Sequence, residues 1–84
     1  GERQVTMLDR ALGHLVGEIV EHPDDVQVVS SENQRGELLE VTVHPDDLGR
    51  VIGRGGRTAK ALRSVIGALA GGRRVRVDIV DQDA

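Results

Sequence analysis

The residues best suited to chemistry stand together in Val51-Ile52-Gly53-Arg54-Gly55-Gly56-Arg57-Thr58, where one helical pattern stops, glycine and arginine follow, and a second helical pattern begins. Gly53 and Gly56 let the main chain take dihedrals closed to other residues and let a ligand approach without a Cβ in the way. Amide N–H groups at the start of the second helix carry a partial positive charge. Arg54 and Arg57 set full charges beside them. The chemistry implied is that of a cradle for phosphate.

Other chemistries find less support. The segment lacks the G-x-x-x-x-G-K-[ST] spacing of a nucleotide-hydrolysing loop, and Thr58 stands where G-x-G-x-x-G needs its last glycine. No nucleophile, base and orienting acid suggest themselves, so catalysis is not expected. Glu37 and Glu40 read as the outer face of a hairpin. His-Pro-Asp-Asp occurs twice, at residues 22–25 and 44–47, but its flanks differ and Pro-Asp-Asp is a common way to leave one element and start another. The two copies are therefore read as element boundaries, with no metal site and no cofactor expected. There is no cysteine, so disulfides, thiolate nucleophiles and Cys-based zinc sites are excluded.

The net charge of -3 conceals a strong polarity. From Arg50 to Arg76 there are eight basic residues and no acidic one, while the remainder holds three basic and fourteen acidic; a surplus of eight against a deficit of eleven leaves -3. A basic window of this kind is the electrostatic footprint of a polyanion site. Phe, Trp and Tyr are absent. The core must be aliphatic, and the aromatic platforms on which many single-strand binders stack bases are missing.

The elements that must position the loop follow from periodicity. Eighty-four residues suit one small domain with a single core. Residues 1–6 are expected to be a disordered tail or a cloning remnant. Leu8, Ala11, Leu12, Leu15, Val16 and Ile19 recur at helical spacing, with Thr6 as N-cap, and His22-Pro23 ends that helix. Val26 to Ser31 and Leu38 to Val43 are strands joined by the polar turn Glu32 to Gly36. In the second, Leu39, Val41 and Val43 share the buried face. Pro45-Asp46-Asp47 opens a short helix anchored by Leu48, Val51 and Ile52 and stopped at Gly53. From Arg57 a further helix buries Ala59, Leu62, Ile66 and Leu69, turning Arg57, Lys60, Arg63 and Ser64 outward. Gly71-Gly72 ends it, and Arg74 to Val80 alternates as a third strand with Val75, Val77 and Ile79 inward. Residues 82–84 form a short tail. No apolar run approaches the roughly 20 residues needed to cross a bilayer, so no membrane partner and a cytoplasmic location are expected.

Ile52-Gly53-Arg54-Gly55-Gly56 resembles the I-G-x-x-G core of KH domains, whose GXXG loop clamps a single-stranded RNA backbone. One departure is Ala59, where the family usually has a bulky aliphatic residue. The order α-β-β-α-(GXXG)-α-β over residues 7–81 resembles a type II KH domain, an α+β fold with a three-stranded sheet packed on three helices. Residues 43–53 and 57–63 are similar to the small stand-alone bacterial KH proteins of the KhpA type. The resemblance implies that Gly53, Arg54, Gly55 and Gly56 meet the RNA backbone, that Arg50, Arg57 and Lys60 neutralise neighbouring phosphates, and that bases lie against Ile52 and Val41 or Val43. It further implies a homodimer or a heterodimer with a KhpB-type KH protein, in RNA-chaperone, cell-shape and cell-wall roles. The competing expectation is a protein-interaction module that keeps the fold without binding RNA.

Overall fold

A computed structural model describes residues 2–80, with side chains from residue 8 onward. The apolar repeat of the first segment produces α1, Glu2–Ile19, which buries Leu8, Leu12 and Val16. The helix starts upstream of Thr6, which therefore lies inside it rather than at its cap. The expected tails at residues 1–6 and 82–84 lie largely outside the described side chains and stay expectations.

After a 3-10 turn at Pro23–Asp25 come β1, Gln27–Asn33, and β2, Gly36–Thr42, paired antiparallel from Gln27↔Thr42 to Asn33↔Gly36. The hairpin is tighter than the composition suggests: Glu32 and Asn33 join the strand, leaving Gln34 and Arg35 as the turn. The Asn33 side-chain oxygen accepts the Arg35 N–H at 2.8 Å, a local bond that holds such turns. β2 is the central strand. It pairs in parallel with β3, Val75–Val80, from Glu37↔Val75 to Thr42↔Val80.

Between β2 and β3 lie a 3-10 turn at Pro45–Asp47, α2 at Leu48–Ile52, a glycine corner, and α3 at Arg57–Ala70. The element order is that of the type II KH arrangement. Leu12, Val16, Leu39, Val41, Val43, Val51 and Ile66 form the most deeply buried part of the core, drawn from all three helices and from β2 and the residue that follows it. At about 25 cal/mol per Å² of apolar surface removed from water, aliphatic burial of this kind replaces the aromatic contacts the chain lacks.

Three further readings need correction. Ala70, not Leu69, completes the buried face of α3; Leu69 is 57% exposed. At 100° per residue the two positions stand about 50° to either side of the Ala59–Leu62–Ile66 face, so periodicity does not choose between them. The chain turns away at Gly71, and the smaller side chain takes the inner place. Glu37 is buried rather than outward, because the chain leaving Gly71-Gly72 brings Arg73 against it, Nη1 to Oε1 at 2.5 Å. Ile52 does not anchor α2 in the core and stays 39% exposed.

Candidate nucleic-acid interface

The corner that joins α2 to α3 is built almost wholly from glycine backbone. Gly53 closes α2 by donating its N–H to Gly49 O at 2.8 Å, and Gly56 donates to Gly53 O at 3.1 Å. Gly53 (φ 77°, ψ 168°), Gly55 (φ 63°) and Gly56 (φ 78°) all have positive φ. Their roles nevertheless differ. A Cβ on Gly53 would lie 2.7 Å from Thr58 N, so this glycine lets the start of α3 close onto the end of α2. Gly55 and Gly56 face open space, where a ligand can come up against bare backbone. The first N–H groups of α3 lack intrahelical partners at this corner, as at any helix start.

Around it the cations divide into two groups. Arg54, Arg57 and Lys60 are exposed, and among the described residues their charged groups meet no carboxylate. Ile52 supplies an exposed apolar side chain directly before the corner. Together, Ile52, Gly53, Arg54, Gly55, Gly56, Arg57 and Lys60 line one continuous stretch from the end of α2 into the second turn of α3. Arg50 is placed differently: its Nη2 meets Glu21 Oε1 at 2.5 Å and its Nε lies 3.7 Å from Asp47 Oδ1. Arg63 also turns away, its Nε donating to Val77 O at 3.1 Å on β3. Val41 and Val43, expected as alternative base contacts, are 0% and 2% exposed and belong to the core.

Sequence reasoning missed the group that holds α2 in place. Asp47 is fully buried, and its carboxylate accepts the N–H of Glu21 at 3.1 Å, the N–H of His22 at 2.9 Å, and a bond from His22 Nδ1 at 3.0 Å. Burial alone would raise its pKa; the Glu21 N–H and the His22 ring and N–H outweigh that and hold the carboxyl below its ordinary value. One signal was present in the sequence. The repeated His-Pro-Asp-Asp marks both segments, which the fold brings together with the His22 and His44 rings stacked 4.1 Å apart.

A glycine corner of G-x-x-G form between two helices, on an α-β-β-α-α-β frame with a three-stranded sheet, defines a KH domain. The family model described as "KhpA/KhpB, KH domain" matches residues 9–80, and the chain belongs to that family. It is similar to the RNA-binding protein KhpA of Leifsonia xyli subsp. xyli, 68% identical over 89% of this chain and 99% of the relative. The RNA-binding protein KhpA of Streptomyces coelicolor is 68% identical over 92% of this chain and 96% of its own length. The protein of the same name from Mycobacterium tuberculosis is 59% identical over 87% and 90%. No solved structure matches.

Proposed function

We propose that this chain binds single-stranded RNA, laying the sugar-phosphate backbone across Gly53, Arg54, Gly55 and Gly56, and that it does no catalysis. One observation carries the reading: the open backbone at Gly55 and Gly56 adjoins Arg54, Arg57 and Lys60, whose charges meet no carboxylate among the described residues. The names of the relatives support it. Ile52 offers an apolar edge to a base, and with no aromatic stacking the binding is weak and loosely specific. Arg50 acts mainly as a brace between α2 and the end of α1, its charge already shared with Glu21.

Weak contact with a few nucleotides calls for a second module, because linking two sites raises avidity without new contacts. The chain therefore works as a homodimer or with a KhpB-type KH protein, as a cytoplasmic RNA chaperone and post-transcriptional regulator in cell-shape and cell-wall control. The second reading, a protein-interaction module, is favoured by Val65 and Leu69, four residues apart on α3 and 43% and 57% exposed.

The test is Gly55→Asp with Gly56→Asp. Asp tolerates positive φ better than most residues, and both sites are open, so the fold should survive while carboxylates face the phosphates. RNA titration by fluorescence anisotropy should show binding lost with the circular dichroism spectrum retained. Unchanged affinity in a folded variant would leave the interaction-module reading standing.

A further inference from the structure

We propose that His22, His44 and Asp46 form a binding site for a divalent transition-metal ion of the zinc type, separate from the glycine corner. The two His-Pro-Asp-Asp segments are far apart in sequence and occupy different connections, one after α1 and one after β2. In space they meet. The His22 and His44 rings stack at 4.1 Å with 14° between their planes, and one donor atom from each of His22, His44 and Asp46 lies within 4.8 Å of the others.

The chemistry of the donors points to the ion. Two imidazole nitrogens and one carboxylate oxygen suit zinc and its neighbours, whereas calcium and magnesium prefer all-oxygen sets. The buried Asp47 carboxylate faces His22 Nδ1 at 3.0 Å. An Nδ1–H donated there leaves the Nε2 lone pair free, the arrangement by which carboxylates orient metal-binding imidazoles. Three protein ligands leave a fourth position for water.

The donors are close but not yet convergent. Two atoms bound to one tetrahedral zinc at about 2.0–2.1 Å stand roughly 3.3 Å apart, so the set must close by up to about 1.5 Å, and the stacked rings must turn until their in-plane lone pairs meet. The side chains that must move are the accessible ones, His22 at 44%, His44 at 32% and Asp46 at 78% exposure. His44 must also change partner. Its Nδ1 accepts the Asp46 N–H at 3.1 Å. If Nδ1 takes the metal that bond is lost, and if Nε2 takes it the ring proton moves to Nδ1 and the bond is lost again. Binding therefore has a signature at one backbone amide.

The experiment is titration of the untagged chain with zinc chloride, followed by calorimetry and by amide resonances. One equivalent should bind, the Asp46 amide should shift among the first, and the midpoint of thermal unfolding should rise with zinc. His22→Gln and His44→Gln should each weaken binding at least tenfold. His14→Gln, which removes the exposed imidazole beside Glu18 on α1, should leave it unchanged. Asp46→Asn keeps both rings and the backbone cap, and should weaken zinc several-fold even if a histidine variant fails to fold. No uptake at millimolar zinc would overturn the proposal. So would equal affinity in folded His22→Gln and Asp46→Asn variants, or binding that follows His14.

Discussion

Gly53 and Gly55 both have positive φ two residues apart, yet alanine at the two positions should give very different proteins. At Gly53 the dihedrals, φ 77° and ψ 168°, fall in a region almost reserved for glycine, and a non-glycine residue there costs about 1–3 kcal/mol. The new methyl would also sit 2.7 Å from Thr58 N, a main-chain atom that cannot move without shifting α3, and overpacking of that kind adds about 1–3 kcal/mol. The sum is about 2–6 kcal/mol, a large share of the roughly 4–12 kcal/mol expected at this length. At Gly55 the conformation is left-handed helical, worth about 1–2 kcal/mol against alanine, and nothing stands within 4 Å of the added atom. Stiffening of the unfolded chain returns about 0.4–1 kcal/mol, leaving a net loss near 1 kcal/mol. Urea unfolding followed by circular dichroism separates the cases. With a slope of about 1 kcal/mol per molar, the midpoint should fall by about 2 M or more for Gly53→Ala and by about 1 M for Gly55→Ala. Midpoints within about 0.3 M of each other at that slope would refute the division of the loop into a packed hinge and an open cradle.

The remaining predictions concern charge. A carboxyl whose pKa is depressed in the folded state contributes stability above its unfolded value, near 4, and that contribution disappears as pH falls through the lower folded value. Asp47 is such a group, so the wild-type chain should lose stability steeply below about pH 4, while Asp47→Asn should be less stable at neutral pH and flatter on acidification. Thermal unfolding of both proteins between pH 7 and pH 3 checks this, and parallel curves would count against it. For single-stranded RNA each phosphate neutralised contributes about -0.7 to the slope of log affinity against log salt, so Arg54, Arg57 and Lys60 together should give about -2. Arg54→Ala or Arg57→Ala should reduce that slope by about 0.7, whereas Arg50→Ala should lower stability and leave the slope nearly unchanged. An Arg50→Ala slope reduced as much as the others would return Arg50 to the interface.

How far the sequence reveals this molecule depends on which force places each part. Where apolar periodicity decides, it is legible: Leu8, Leu12 and Val16 on α1, and Leu39, Val41 and Val43 along and just past β2, are buried as their spacing requires. The glycine corner is legible because its dihedrals leave few residue choices. What escapes is decided by partners distant in sequence. Glu37 is a polar residue on a strand until Arg73, 36 positions later, returns to pair with it. Arg50 sits in the basic window beside the loop, and only the fold brings Glu21 within reach of its guanidinium. Leu69 and Ala70 are equally placed on a wheel, and the end of the helix chooses between them.

The same distinction explains why the loop can be held still by so little apolar contact. α2 has five residues, far too short to be stable alone, and Val51 is the residue it buries. Hydrophobic contact from one buried valine and the half-buried Leu48 does not fix both the position and the tilt of a helix whose last residue must hand the chain to Gly53. Hydrogen bonds do so better, because they are directional. Asp47 immediately precedes α2 and binds the main chain of Glu21 and His22 just beyond the end of α1, while Arg50, one turn on, reaches back to Glu21. The start of α2 is thereby tied to the longest helix of the domain from two points three residues apart. It follows that substitutions at Asp47 should disturb the glycine corner, six residues away, more than substitutions at exposed positions inside the corner disturb Asp47.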